Sequence, residues 1–162
     1  MSTPTSERAR LGRALGKQHY RGRAFGWIFL LLMGAMNLFR GSVHTFAADG
    51  GAASIAGIDL SQNGAVILTL FAAAGWGQLL MAGIDFAVGL RYRALVPLVV
   101  GYHLLLQVGS AIIVWGWRPL PLDAPGKYGA LLIVPVALLA FWAGTRRRDA
   151  PEPAPEAVPE GA

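Results

Sequence analysis

Two ionisable side chains, Asp85 and His103, lie inside long apolar segments of the sequence. Lipid offers such groups no hydrogen-bonding partner, so an ionisable residue at membrane depth often marks a functional site. If both segments are helices, a rise of about 1.5 Å per residue places Asp85 about 8 Å and His103 about 14 Å from the same boundary. The side chains can then meet, and we interpret them as a candidate inner proton relay, since imidazole titrates near neutrality. In the structural alternative, Asp85 reaches headgroups or an arginine and His103 binds an amide.

A second charged pair lies near the end of the first apolar segment, where Arg40 and His44 are one helical turn apart. Counting the same rise puts Arg40 roughly 16 Å beyond Asp85, too far for an ion pair. One interpretation is a clamp, in which Arg40 binds Asp49 or Asp59 of the following loop. The other is an outer mouth, in which Arg40 and His44 bind an anionic headgroup or substrate. The two nearby carboxylates favour the clamp.

Asp59 also fits a local role, because Gln62 follows it by three residues, as in a helix capping box. Ser61 is a competing N-cap residue. Capping is the favoured role of Asp59, and it predicts that the second helix begins near residue 61.

Uncharged polar residues form what we call the polar seam: Asn37, Gln78, Gln107 and Ser110. The three amides come out roughly 18 to 20 Å from one boundary, so we predict that they form a hydrogen-bonded layer. Interhelical hydrogen bonds of this kind average roughly 0.6 kcal/mol. The favoured role of the seam is therefore to fix helix register rather than to carry chemistry.

Four uncharged apolar runs must position these residues. The 162-residue chain is 54% hydrophobic and only 14% charged, which indicates lipid as the solvent and allows one domain. Each run approaches the roughly 20 residues needed to cross the hydrocarbon as a helix. We predict an all-α, polytopic membrane protein with a four-helix transmembrane bundle at 24–148. Its helices are expected at about 24–48, 61–90, 94–117 and 127–146.

Charge distribution predicts the orientation of the helices. Eleven of the 14 lysines and arginines fall before the first run, between the second and third, or after the fourth. The positive-inside rule then puts both termini in the cytoplasm, in a membrane of the bacterial cytoplasmic type. A cleaved signal peptide ending near residue 47 is the less favoured alternative, because the run is long and Arg40 interrupts it.

The two terminal segments differ in charge. Residues 1–23 form a basic arm, for which contact with anionic lipid headgroups is favoured over nucleic-acid binding because the arm adjoins the membrane. Residues 149–162 are acidic and proline-rich, so we expect a disordered tail. Other membrane subunits or a second copy of the chain are possible partners.

The sequence lacks the residues that several classes of chemistry require. With no cysteine, the chain has no disulfide, thiolate nucleophile or iron–sulfur ligand. No histidine or carboxylate cluster has metal-ligand spacing, and His44 and His103 differ by roughly 16 Å in depth, which disfavours a bis-histidine haem. We expect no catalytic residue, metal or cofactor.

Three functions remain. The leading one is a non-enzymatic accessory or interaction subunit of a membrane complex, or a lipid-binding protein. The alternative is a proton-linked carrier that uses the outer mouth and the inner relay. A lipid- or quinone-acting enzyme ranks third, because the sequence shows no nucleophile beside a base.

Overall fold

A computed structural model describes residues 22–146, and within them every regular element is helical. Helix α1 spans Ala24–Phe46, α2 spans Gly64–Leu90, α3 spans Val96–Ile112 and α4 spans Pro125–Thr145. A 3₁₀ turn, Arg93–Leu95, leads into α3, and a π-helical turn, Ile113–Trp117, extends it. Most of the predicted arm 1–23 and all of the predicted tail 149–162 lie outside the described residues.

All four helical segments are long enough to cross a membrane. They contain 23, 27, 25 and 21 residues, counting α3 together with its two flanking turns. At about 1.5 Å per residue, even the shortest reaches the roughly 30 Å of the hydrocarbon core. Large apolar side chains cover their outer faces, as expected where lipid replaces water. The prediction of an all-α integral membrane protein with a four-helix bundle is confirmed.

The start of α2 differs from the prediction. The helix begins at Gly64, three residues later than expected, and its N-cap residue Asn63 adopts a left-handed conformation (φ 57°) without a side-chain cap. The Asp59 carboxylate accepts hydrogen bonds from the amide and hydroxyl of Ser61, at 2.9 and 2.8 Å. The capping-box prediction is therefore wrong, because an Asx turn closes locally and leaves Asp59 inside the loop.

The other boundaries shift by smaller amounts. Helix α1 ends at Phe46 rather than residue 48, where the chain becomes extended at Ala47. Helix α4 begins at Pro125, two residues earlier than expected. Proline suits the first turn of a helix because the backbone N–H groups of that turn have no intrahelical acceptor, so the N–H that proline lacks is not needed.

Helix α1 lies at the centre of the packing. It contacts α2 along much of its length and also touches α3 and α4, while α3 packs mainly on α4. Helices α2 and α3 have few close approaches. The buried core combines Phe29, Leu30 and Met33 of α1, Val88 of α2, Val96, Val99 and Val100 of α3, and Ala137 and Ala140 of α4.

Glycines bring α1 and α2 together. A methyl group added to Gly41 would lie 2.8 Å from the carbonyl oxygen of Gly75, and one added to Gly75 would lie 2.7 Å from Cβ of His44. Nearer the other end, one added to Gly34 would lie 3.1 Å from Cβ of Asp85. Small residues allow such backbone approach between membrane helices, and here they set the distance between the polar residues of the two helices.

Candidate functional site

Asp85 and His103 form the centre of a buried polar cluster. The Nε2 atom of His103 lies 2.7 Å from Oδ1 of Asp85, and Nδ2 of Asn37 donates to Oδ2 of Asp85 at 3.0 Å. Asp85 is fully buried and His103 is 1% exposed. Three helices thus meet at one carboxylate, which we call the Asp85 cluster: Asn37, Asp85 and His103.

The hairpin between α2 and α3 brings Asp85 and His103 together. These helices are joined by a short turn, so residues at similar distances from the turn lie opposite each other. Asn37 reaches the same carboxylate because Gly34, one turn earlier on α1, leaves room for Asp85. The alternative in which Asp85 reaches the headgroups is excluded by its burial. Arg93, a candidate ion-pair partner, instead donates from Nε to the carbonyl of Gly89 at 3.1 Å.

Hydrogen bonding constrains proton movement at the Asp85 cluster. Asn37 donates to one carboxylate oxygen, and the other oxygen is hydrogen-bonded to His103 Nε2. The remaining ring nitrogen, Nδ1, is buried and has no hydrogen-bond partner among the described residues. The rings of Phe29 and Tyr102 stand edge-on to the imidazole, with centroids 6.1 and 6.3 Å away. A relay needs a next acceptor, and residues 22–146 supply none at Nδ1.

The three amides do not form the expected layer. Asn37 binds Asp85, Oε1 of Gln78 is buried without a hydrogen-bond partner in the described part of the chain, and Gln107 faces a cavity. The equal depths predicted for the three amides assume that the helix ends lie at the same height, and they do not. Gly34, ten residues into α1, touches Asp85, which is only five residues from the end of α2. The rise alone therefore misjudges which residues are neighbours.

Two cavities lie toward the end of the bundle that carries the connections 47–63 and 118–124, which we call the loop end. The larger has a volume of about 640 Å³ and lies between α1, the first loop, α3 and α4. Its walls include the seam residues Gln107 and Ser110 and apolar side chains such as Met36 and Ile133. This volume is typical of small-molecule sites, roughly 300–1,000 Å³.

The smaller cavity, of about 310 Å³, lies against α2. It is lined by Arg40, His44, Leu70, Phe71, Ala74 and Gln78. Arg40 and His44 also line the larger cavity. The two residues of the predicted outer mouth therefore stand between an apolar cavity and a more polar one.

Arg40 does not form the predicted clamp. Among residues 22–146 it has no ion pair, although Asp49 and Asp59 are in the adjacent loop. Asp49 accepts hydrogen bonds from the amides of Ser54 and Gly51, at 2.7 and 2.9 Å. These bonds lower the pKa of the Asp49 carboxyl to about 2. The clamp prediction is wrong: both loop carboxylates accept hydrogen bonds within their own loop, Asp49 from two amides and Asp59 from the amide and hydroxyl of Ser61.

His44 is held in one orientation. Its Nδ1 donates to the carbonyl of Gly50 at 2.7 Å, and the ring stands edge-on to Phe71 with centroids 5.1 Å apart. In the neutral ring, this hydrogen bond leaves Nε2 as an acceptor. Gly50 adopts a left-handed conformation (φ 57°), which favours glycine at this turn.

Lys127 also lines the larger cavity, and the sequence patterns above do not identify it as a site residue. It lies in the first turn of α4, 4.8 Å from the ring centroid of Trp115, and its Nζ is 3.5 Å from Asp123. The π-helical turn brings Trp115 to this position, where its Nε1 donates to the Lys127 carbonyl. The feature of the sequence that points to Lys127 is a basic residue followed closely by an apolar helix.

Within the described residues no group of three or more histidines and carboxylates could hold a metal ion. Comparison with known proteins gives no family assignment, since no family model, curated protein or solved structure matches the chain. The geometry of the cavities and of the Asp85 cluster is therefore the basis for a functional proposal.

Proposed function

We propose that this chain is a non-enzymatic membrane protein that binds an amphiphile with an anionic headgroup at the loop end of its bundle. Arg40 carries the proposal. Arg40 lines both cavities, and no carboxylate within residues 22–146 pairs with it. A cation among apolar walls is stabilised by an anion, and arginine binds phosphate and carboxylate groups well through its forked donors.

The position of Arg40 suits a lipid headgroup. It is six residues before the end of α1, about 9 Å below the loop end by helical rise. Arginine side chains extend toward the membrane interface from such depths. Below it, Met36 and Ile133 offer apolar walls for a hydrocarbon chain. Polar and apolar parts of one amphiphile thus find matching surfaces within one continuous region.

The cavity walls support binding more than catalysis. Ser110, the hydroxyl in the larger cavity, makes no hydrogen bond to any histidine or carboxylate of residues 22–146, and His44 Nδ1 is occupied by Gly50. A serine nucleophile requires an adjacent base that is itself oriented. The enzyme alternative is therefore a weaker proposal.

The proposed setting is the bacterial cytoplasmic membrane with both termini in the cytoplasm, which follows from the distribution of basic residues. The loop end and its cavities then face the outer leaflet. Contact of the basic arm with anionic lipids, and association with other subunits or a second copy, belong to the same proposal.

The proposal can be tested by extracting the protein in mild detergent and identifying retained amphiphiles by mass spectrometry. We expect an acidic or zwitterionic amphiphile with wild type, and its loss with Arg40→Gln. Arg118→Gln is the matched control, because Arg118 is exposed at the same end and lies over Trp117, 6.0 Å from the ring centroid. Equal retention by wild type and Arg40→Gln would overturn the proposal.

A second candidate, a proton-linked carrier, is favoured by the contact between Asp85 and His103. Proton movement can be measured in proteoliposomes that contain a pH-sensitive dye, with an imposed potassium diffusion potential. A carrier of this type would acidify or alkalinise the lumen faster than empty vesicles do, and Asp85→Asn would abolish the difference. Identical rates in wild-type and protein-free vesicles would reject this candidate.

A further inference from the structure

Two polar side chains of α3 in the larger cavity have no partner in the described part of the chain. Gln107 and Ser110 are three residues apart, on one face of the helix, and both line this cavity. Neither side chain makes a hydrogen bond within residues 22–146. Both residues are half-buried and, unlike Oε1 of Gln78, their polar atoms are not enclosed, so a ligand in the cavity can reach them. In a largely apolar wall, a ligand oxygen at this place would be bound by both residues.

Arg40 reaches the same cavity at its other end. A methyl group added to Gly126, in the first turn of α4, would lie 3.7 Å from Nη2 of Arg40. The guanidinium therefore lies beside the start of α4. No aspartate or glutamate of the described residues lines this cavity. An anion bound there thus has the guanidinium as its partner and no wall carboxylate to repel it.

Two contacts fix the register of α3 against α4. Nε1 of Trp115 donates to the carbonyl of Lys127 at 3.1 Å. Fourteen residues before Trp115, a methyl group on Gly101 would lie 3.1 Å from the ring of Phe141, which is fourteen residues after Lys127. The helices are therefore antiparallel, and each step forward along α3 matches one step back along α4.

This register gives the depth of the polar pair below the guanidinium. Gly126 is level with Gly116, which is six residues after Ser110 and nine after Gln107. At about 1.5 Å per residue, Ser110 and Gln107 lie roughly 9 and 14 Å deeper than the guanidinium. Below Gln107 the interior is closed, since His103, one turn earlier on α3, is 1% exposed. The larger cavity thus has an anion-binding end, an apolar middle and a polar floor.

We infer that the ligand of the larger cavity is a bifunctional amphiphile, with a carboxylate bound by Arg40 at one end and a hydroxyl or carbonyl oxygen bound by Ser110 and Gln107 at the other. This inference rests on the proposed function and names its ligand class. A carboxylate suits a single guanidinium, because it matches the forked donors and carries one negative charge.

The distance between the two ends sets the length of the ligand. A carbon–carbon bond is about 1.5 Å long and a zigzag chain advances by less than this per bond, so roughly ten carbons span the cavity. A simple fatty acid leaves Ser110 and Gln107 without a partner. The ester oxygens of a phospholipid lie too close to its phosphate to reach them.

Two isomers of one acid test the inference. In 10-hydroxydecanoate the hydroxyl is at the far end of the chain, whereas in 3-hydroxydecanoate it is beside the carboxylate, so the pair has the same composition and charge. Each isomer competes with a fluorescent fatty acid for wild-type protein in detergent. We expect the inhibition constant of 10-hydroxydecanoate to be roughly three- to tenfold lower, as one or two hydrogen bonds would produce.

Variants assign this preference to residues. Gln107→Leu and Ser110→Ala should each reduce it, and the double variant should bind the two isomers equally. Neither side chain bonds to the described protein, so we expect these variants to melt like wild type. Thr69→Val is the matched control and should keep the preference, because its hydroxyl donates to the carbonyl of Ala65 outside the cavity. A preference that persists in the double variant would overturn the role of Gln107 and Ser110.

Failure of the inference differs from failure of the proposed function. Equal inhibition constants for the two isomers on wild type, or no displacement by either, would overturn the inference alone. The proposed function is overturned if wild type does not bind the fluorescent fatty acid, or if Arg40→Gln binds it as tightly as wild type does.

Discussion

The imidazole of His103 lies 2.7 Å from the carboxylate of Asp85, eighteen residues earlier, and both side chains are buried between three helices. Asn37 completes the cluster at 3.0 Å. Nδ1 of His103 has no hydrogen-bond partner within residues 22–146. The contact is therefore better suited to holding the helices together than to transferring protons. The polar residues nearer the loop end are arranged differently, since they surround cavities.

The Asp85 cluster should stabilise the fold. Asp85→Leu leaves Asn37 and His103 without their shared acceptor, so we expect it to lower the free energy of unfolding by about 2–4 kcal/mol. Asp85→Asn keeps the shape and one acceptor, and should lower it by about 1 kcal/mol or less. Unfolding with SDS in mixed micelles measures both variants. Equal stability of Asp85→Leu and wild type would contradict a structural role.

The α1–α2 contact should depend on Gly75. In Gly75→Ala the new methyl group would lie 2.6 Å from Oγ1 of Thr45 and 2.9 Å from the carbonyl oxygen of Gly41, so we expect a loss of about 1–3 kcal/mol. Gly77→Ala is the matched control, because nothing lies within 4 Å of its new methyl group. Its higher helix propensity should leave stability unchanged or raise it by up to about 1 kcal/mol. Thermal melting in detergent distinguishes the two; similar midpoints would argue against the packing described.

The first loop should loosen in acid as Asp49 becomes protonated. Its pKa is lowered from 3.8 to about 2 by backbone hydrogen bonds, so its contribution is fully present above pH 3.8 and is lost as the pH falls through about 2. The amide resonances of Gly51 and Ser54 should shift over this range in an NMR titration. Asp49→Asn should remove the transition and Asp59→Asn should not. A midpoint near 3.8 in wild type would show that the bonds are absent.

Membrane orientation can be tested because the chain has no cysteine. Ser54→Cys, in the first loop, should react with a membrane-impermeant thiol reagent on intact cells. Tyr92→Cys, in the turn between α2 and α3, should react only after the membrane is permeabilised. The reverse pattern would place the termini outside and would contradict the positive-inside assignment.

Local features of this fold could be predicted from sequence. The four apolar runs predict the four helices, because the length needed to cross the lipid and the absence of charge are both properties of a single segment. The contact between Asp85 and His103 could be anticipated since a short turn fixes how α2 and α3 face each other. The predicted ends of the helices are less accurate. The start of α2 is predicted at residue 61, but Asp59 forms a local turn with Ser61 there.

Features that depend on rotation and offset between distant helices could not be predicted. The helical rise predicts Asn37 in a layer with Gln78 and Gln107, but in the structure Gly34 leaves room for Asp85 and Asn37 binds Asp85 instead. The spacing predicts that Arg40 binds loop carboxylates, and nothing in it indicates that the amides of Ser54 and Gly51 bind Asp49 instead. The walls of the cavities come from elements that are distant in sequence, so only the structure identifies them.

The most direct test of the account is the affinity of a fluorescent phosphatidylglycerol for wild type, Arg40→Gln and Arg118→Gln in the same detergent. Hydrogen bonds to charged groups contribute about 1.5–3 kcal/mol, so Arg40→Gln should bind at least roughly tenfold more weakly. Arg118→Gln should bind like wild type, because its side chain lies over Trp117 outside both cavities. Equal affinities for wild type and Arg40→Gln, in a variant that elutes and melts normally, would contradict the account.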